Sequence, residues 1–462
     1  LLALQHAASA IAANRLDLAI VGGATFNNVD NLALFSQSGA CSETGSFPFD
    51  NRASGLISSE GYVAVVVARR SVAEANGLSV LATLRGVGVA SDGKGKGLWA
   101  PRSEGQQTAM RRAVDADPLN IDYLECHATS TQVGDATELE SLTSLLRSNE
   151  GSRGVLPIGS VKSNLGHLLE AAGLVGVVKC LLAMRRGEIP PSINFAVPTE
   201  RHDWSDPAVR IVDRVEPWQQ RTSSDGRVAA VNAFGIGGLN AHAVIEEKPS
   251  SGRSASETKL TEEPIAIVGR RVVLPGAGTL QEFRELLQSG RSAISDPPEG
   301  RWVVDAKNGS WMGLDSNRSS YTTLHCRGGY VRDFKFDAQS YRIPPKMVAN
   351  ANPAQLMLIE AVRQAMDEFD GGKWSVDRER VGVVVGTIFG GQFSNELQIG
   401  LRLPEIAQHL GRALAAMGWD DSTTKSAADE LRNLALKKYG ALLDETGGFT
   451  ASTLASRIAR TF

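Results

Sequence analysis

The stretch Gly61 to Ala68 (GYVAVVVA) is an uninterrupted apolar run, rich in β-branched residues. A strand with one wet face alternates polar and apolar residues; a strand that does not alternate is covered on both faces. The chain therefore needs layers on each side of a sheet, and 462 residues suffice to build them. The flanking pattern supplies the layers. Leu1 to Asn14 reads as an Ala/Leu-rich helix, Leu16 to Gly22 as a strand, Ser71 to Ala75 as a helix opening and Val80 to Val89 as a strand. Ile121 to Cys126 and Leu156 to Val161 are further strands, the second leading into an apolar helix from His167. Asp135 to Arg147 is amphipathic, with Leu139, Leu142, Leu145 and Leu146 on one side. Arg227 to Ala233 and His242 to Glu246 pair around a glycine-rich turn. This is a layered α/β pattern.

Residues 248–262 (KPSSGRSASETKLTE) break it. They are polar and lack a hydrophobic period, as a linker does. Pro264 to Gly269 then begins a second segment, with helices at Leu280 to Gln288 and Pro353 to Phe369, a buried strand at Val381 to Gly386, and helical composition from Glu405 to Tyr439. The domain organisation expected is 1–247, a linker at 248–262, and 263–462.

At a net charge of -3 with mixed signs nothing suggests a nucleic-acid or anionic-membrane partner, which would need a basic patch. The longest apolar stretch, Leu168 to Met184, carries Glu170 and Lys179 and falls short of the ~20 residues a membrane span requires. Four scattered cysteines show no CxxC or cysteine–histidine spacing, so no metal site is expected and buried free thiols of a cytoplasmic protein are. The chain opens on Leu1 without a Met or a helix cap and ends at Phe462 without a stop signal; both ends are expected to be cuts in a longer polypeptide.

Three motifs carry chemistry. In Glu125-Cys126-His127-Ala128-Thr129-Ser130-Thr131 a strand ends and a polar loop presents a histidine and two threonines, where open α/β sheets bind ligands. Taken alone, His127 is equally well a histidine that caps a strand. In Gly159-Ser160-Val161-Lys162-Ser163-Asn164-Leu165-Gly166-His167 the histidine opens a helix, whose N-terminus favours a neutral imidazole. Lys162 is either part of that site or a structural partner of Glu170. Asn232-Ala233-Phe234-Gly235-Ile236-Gly237-Gly238-Leu239-Asn240-Ala241-His242 holds three glycines in four positions, and it lacks the strand-to-helix context of a dinucleotide site.

In order and spacing these motifs resemble the EAHGTGT-x-x-GD, KSN-x-GH and N-x-FG-x-GG-x-NAH signatures of β-ketoacyl synthases. Phe47 to Gly61 (FPFDNRASGLISSEG) resembles the family's PFD…GEG segment. The resemblance implies a thiolase-like layered αβαβα fold, present here as two incomplete halves. It implies a decarboxylative Claisen condensation between a cysteine-bound acyl chain and malonyl-acyl carrier protein. His127 and His167 are then the hydrogen-bond donors to the thioester enolate, Lys162 sets the site's charge, Thr129 and Thr131 hold the phosphopantetheine arm, and Phe234 is an aromatic gate. No cofactor of its own is implied; the substrates are malonyl and acyl thioesters on the phosphopantetheine of an acyl carrier protein. Ala128 and Ser130 replace usual glycines, Leu239 a common Thr, and Ser59 a usual Gly. The family nucleophile precedes a Leu/Ala-rich helix, so the cysteine is expected upstream of Leu1. Cys126 is not expected to substitute, because its side chain points opposite to that of His127.

Pro264 to Gly269, Leu274-Pro275-Gly276-Ala277, Arg301-Trp302, Tyr341 to Lys346 and Asn352 to Leu358 resemble the opening of another ketosynthase, with Asn352 in place of an Asp. A second ketosynthase-like domain after a short linker resembles polyunsaturated-fatty-acid-type and iterative polyketide synthases, in which a chain-length factor pairs with the active domain. A ketosynthase-type dimer or such a pairing is expected. The alternatives are a second active ketosynthase, or a scaffold with both segments non-catalytic. A degradative thiolase is disfavoured, since it pairs one histidine with two cysteines.

Overall fold

The computed structural model describes the chain apart from residues 28–31, 33–34, 37–38, 93–99, 115–117, 149–153, 206–207, 221–225, 236–237, 248–264, 300, 302–325, 342, 346–347, 349–350, 371–380, 388–390, 439–454, 456–457, 459–460 and 462. The expected linker, Trp302, Arg342, Lys346 and the Ile236-Gly237 pair thus lie outside the described residues.

Ten strands form one mixed sheet: β1 (Leu18–Thr25), β2 (Gly61–Arg69), β3 (Ala82–Ser91), β4 (Tyr123–Glu125), β5 (Leu156–Gly159), β6 (Val209–Ile211), β7 (Val228–Phe234), β8 (Leu239–Glu247), β9 (Ile265–Val273) and β10 (Val381–Thr387). Their order is β10-β1-β2-β9-β3-β8-β7-β4-β5-β6. The longer helices are α1 (Leu2–Ala12), α2 (Ser103–Ala113), α3 (Gln132–Ser148), α4 (Ala172–Arg186), α5 (Leu280–Ser289), α6 (Pro353–Asp370), α7 (Gly391–Ala416) and α8 (Asp421–Lys438).

The side chains of β2 show how the layers arise. Val63, Val65 and Val67 enter one buried core, and Tyr62, Ala64, Val66 and Ala68 enter another. The period of two sends alternate residues to opposite faces, and both faces are dry, as the unbroken apolar run requires. The first core also holds α1, α4 and one face of β7 and β8, so these helices lie between two parts of the sheet. The second core adds α6. A third covers the other face of β7 with residues of α2 and α3. The sequence of layers is α/β/α/β/α, as the resemblance implied.

The two segments meet in space. β9 pairs antiparallel with β2 and over three residues with β3, and β10 pairs parallel with β1. Strands from beyond residue 262 therefore flank the β1–β2 pair on both sides. The sequence separates the halves along the chain; the structure joins them in one sheet, because β1 and β2 would otherwise expose unpaired backbone groups. A bulge between Ile267 and Gly269 changes the parity of β9. Before it Ile265 and Ile267 face the central core; after it Val272 does, and Val273 faces the outer one. Gly269 sits at the bulge because a Cβ there would lie 2.4 Å from the Ala365 carbonyl oxygen of α6.

Candidate functional site

β4 and β5 run parallel, with Glu125 opposite Gly159, and β7 runs parallel to β4, with Glu125 opposite Val231. Their carboxyl ends therefore deliver the three motif loops to one edge of the sheet. The His127 and His167 ring centroids stand 5.3 Å apart, and Phe234 lies 5.7 Å from His127. The two sequence-predicted histidines and Phe234 are thus brought together.

His127 is held through its backbone. Its N–H and that of Ala128 donate to the two carboxylate oxygens of Glu138, each at 2.8 Å. Glu138 also accepts from the Asn232 amide at 2.8 Å, and Asn232 Oδ1 lies 2.7 Å from His242 Nδ1. Sequence reasoning missed Glu138. The available signal was a carboxylate on the same helical stripe as Leu142 and Leu145, where a charge is tolerated only with partners.

His167 is pinned at both backbone groups: its N–H donates to the Ile57 carbonyl at 2.7 Å, and its carbonyl accepts from Ser59 N–H at 3.0 Å. The preceding Gly166 has φ +78, and a Cβ there would lie 2.2 Å from Ser59 Oγ. His167 Nδ1 accepts from the Leu169 N–H at 3.2 Å. An acceptor nitrogen carries no proton, so in the neutral ring the proton sits on Nε2, which is left as a donor.

Burial, with the Lys162 charge second, lowers His167 to about 3. Burial, then Lys162 and His167, hold His127 well below the ordinary imidazole range. Both rings are neutral near pH 7. The helix expected from His167 starts later: a single 3-10 turn, Leu169–Ala171, leads into α4 at Ala172, and Leu169 has φ +43.

Lys162 is 4% exposed and opens a one-turn helix, Lys162–Leu165. Burial lowers its pKa, and the charges of Glu125 and Glu138 oppose that shift. Glu170, the alternative partner, instead accepts from the Thr25 hydroxyl at 2.9 Å. Thr129 and Thr131 stand with hydroxyls 3.1 Å apart. Ser130, at a usual glycine position, has φ +65. A left-handed L-residue costs roughly 1–2 kcal/mol; here its hydroxyl accepts from Phe47 N–H at 2.9 Å and its carbonyl from Gly55 N–H at 2.8 Å.

None of the four thiols is activated. Burial raises Cys41 to about 11, and burial raises Cys126, Cys180 and Cys326 as well. Among the described residues no group of three or more His, Cys, Asp or Glu could hold a metal ion, and no helix is long and apolar enough to cross a membrane.

The second segment contacts the motif loops directly. Asn164 donates to the Arg291 carbonyl at 3.2 Å and accepts at its own carbonyl from Ala293 N–H at 2.7 Å. Arg301 pairs with the buried Glu60 and stacks 3.8 Å above the Phe26 ring.

His242 makes the histidine electrostatics testable. It is fully buried, and burial lowers it from 6.5 to about 4. Between those values the unfolded chain holds the extra proton, so stability falls as pH falls through that window. His242→Gln removes this linkage. The stability of the parent relative to the variant is expected to drop by roughly 3 kcal/mol from pH 6.5 to 4, measured by urea unfolding across that range. Parallel pH profiles would show that His242 does not titrate in this way.

Comparison with known families and proteins agrees with this geometry. The β-ketoacyl synthase N-terminal domain model matches residues 1–73 and 262–417, the C-terminal domain model matches 81–196, and a ketoacyl-synthetase C-terminal extension matches 198–292. The pikromycin polyketide synthase component PikAIII of Streptomyces venezuelae is 38% identical over 255 residues, which are 54% of this chain and 16% of that protein. A 6-methylsalicylic acid synthase of Arthrobotrys oligospora is 37% identical over 257 residues, 54% of this chain and 14% of that protein. The solved ketosynthase from module 6 of the bacillaene synthase of Bacillus subtilis aligns with a TM-score of 0.51 at 34% identity, covering 53% of this chain and 44% of that one. The chain thus spans a small part of the curated relatives and under half of this solved ketosynthase. With its layers, its histidine pair and these matches, the chain belongs to the β-ketoacyl synthase family.

Proposed function

We propose that this chain carries the histidine side of a decarboxylative condensing site of a polyketide or fatty-acid synthase. The observation that carries this reading is the pair of neutral imidazoles, 5.3 Å apart, with Nε2–H of His167 left as a donor. Loss of CO2 from a malonyl thioester leaves an enolate whose oxygen bears negative charge. Fixed neutral donors stabilise that charge without reorganising. Neutral rings suit the task better than bases would, because they hold their protons as donors throughout the reaction. Burial keeps both rings unprotonated, and the charge of Lys162 beside them acts in the same direction.

The acyl chain and the malonyl unit arrive on the phosphopantetheine of an acyl carrier protein, with Thr129 and Thr131 along the arm and Phe234 beside the acyl group. In the family pattern the nucleophilic cysteine directly precedes the Leu/Ala-rich helix that α1 matches, and none of the four thiols here is activated to replace it. Leu1, at the start of α1, packs in the central core toward Gly173 and Ala233. We read residues 1–247 as the C-terminal part of one ketosynthase and 263–462 as the N-terminal part of a second ketosynthase-type, chain-length-factor-like unit. That β9 and β10 flank β1 and β2 supports the two parts being complementary halves of one fold.

The test follows labelled malonyl-carrier protein. The synthase that contains this chain is expected to release CO2 and form a β-ketoacyl product, and the 462-residue chain alone to form none. Chain extension through one of the four cysteines here would overturn the assignment of the nucleophile. Absence of CO2 release from the synthase would overturn the condensing function.

A further inference from the structure

Five arginines, Arg185, Arg186, Arg270, Arg271 and Arg284, line one cavity of about 510 Å3, and no carboxylate lines it. They come from three elements: the last turn of α4, the middle of β9, and the first turns of α5. The cavity lies a full helix length along α4 from its His167 end, roughly 20 Å. It is no part of the histidine site.

Ordinary structural roles account for part of this cluster. Arg185 and Arg186 favour the C-terminal end of a helix dipole. Arg186 pairs with Glu188 at 3.0 Å, and Arg270 lies 3.5 Å from Glu368. Glu282 is committed to the α5 cap, accepting from Gly278 and Thr279 N–H. The remainder is unexplained. Among the described residues no carboxylate lies within ion-pair distance of Arg185, Arg271 or Arg284. The Nε atoms of Arg271 and Arg284 are buried without a hydrogen-bond partner. Arg270 is 1% exposed, on a strand that has no dipole to satisfy. Burial, opposed by Glu368 and reinforced by Arg185, lowers its pKa. Converging guanidinium groups that are partly withdrawn from water, as Arg270, Arg271 and Arg284 are, favour a compensating anion.

We propose that this recess is a binding site for a ligand bearing two phosphate groups, such as a diphosphate ester. The planar guanidinium fork matches phosphate oxygens in bidentate fashion. Arg186 and Arg270 have carboxylate partners, which leaves three guanidinium charges, at Arg185, Arg271 and Arg284; a single phosphate carries at most two negative charges, and a second phosphate supplies the remainder. The volume suits a small ligand rather than a protein segment, and Gln281 at the rim adds a neutral donor. The site requires the joined sheet, since α4 belongs to the first segment and β9 and α5 to the second.

The test is calorimetric titration of the whole chain with inorganic pyrophosphate. Saturable one-to-one binding that weakens with salt is expected. Arg271→Gln with Arg284→Gln should weaken it roughly tenfold or more. Arg210→Gln, which removes an exposed partner of Glu216, should leave it unchanged. If the double variant fails to fold, Arg284→Gln alone carries the test. No saturable binding, or equal binding by the arginine variants, would overturn the site. Orthophosphate binding as tightly as pyrophosphate would overturn the two-phosphate assignment. An acidic carrier protein that binds in an Arg284-dependent way, with no pyrophosphate binding, would make the recess a protein-docking surface instead.

Discussion

Replacing His167 by alanine is expected to slow CO2 release from a malonyl thioester roughly 10²- to 10³-fold in the synthase that contains this chain. The fold should survive. The backbone bonds to Ile57 and Ser59 do not involve the side chain. The alanine variant loses one hydrogen bond to a charge that exists only as CO2 leaves, so kcat should fall while the KM for malonyl-carrier protein changes little. His167→Gln restores an N–H donor near the same place and should recover part of the rate. The pH profile is a second check. With His167 at about 3, the ring takes up no second proton between pH 5 and 8 and should contribute no break in the rate there. A general base at this position would give a break near its pKa. Near-normal CO2 release by the alanine variant would remove His167 from the mechanism.

The layering was legible because the period of β2 is a local property: every residue from Gly61 to Arg69 is buried, and alternate ones enter different cores. The motif loops were legible for a similar reason, since parallel strands bring their carboxyl ends together. Three features were not. The bulge at Ile267–Gly269 changes the facing of β9 by one residue, and its cause is the approach of α6 nearly a hundred positions away. The delay of α4 to Ala172 depends on backbone angles at Gly166 and Leu169 set by contacts with Ile57 and Ser59, whereas the composition from His167 onward is helical throughout. The joining of the two segments rests on strand pairings between residues more than a hundred positions apart, which no local pattern encodes. The arginine recess is a consequence: Arg185, Arg270 and Arg284 are scattered in sequence and become a cluster only when β9 enters the sheet.

Glu125→Ala is expected to cost about 3–5 kcal/mol of stability, because it strips the partner from a fully buried cation. Lys179 Nζ lies 2.6 Å from Glu125 Oε2, and the two side chains are 0% and 2% exposed. Tyr123 completes the group: its hydroxyl donates to Glu125 at 3.0 Å and accepts from Lys179 at 2.9 Å. Glu125 Oε1 accepts from Val161 N–H at 2.6 Å, which ties the end of β4 to the residue before Lys162. The four groups satisfy one another, so removing one is costly in proportion to the charge left behind. Lys179→Met should cost less, since the carboxylate keeps the Tyr123 hydroxyl and the Val161 amide as donors. Glu125→Gln combined with Lys179→Met removes both charges, keeps the acceptor for Val161, and fills the lysine channel with an apolar chain of similar length. It should therefore be more stable than the sum of the single changes predicts, with a coupling of about 1–3 kcal/mol. Urea unfolding of the three variants measures this, and strict additivity would show that Glu125 and Lys179 do not act as a pair. A functional consequence accompanies the loss of Glu125. Its charge is the largest of those opposing the burial of Lys162, so without it the Lys162 pKa falls further.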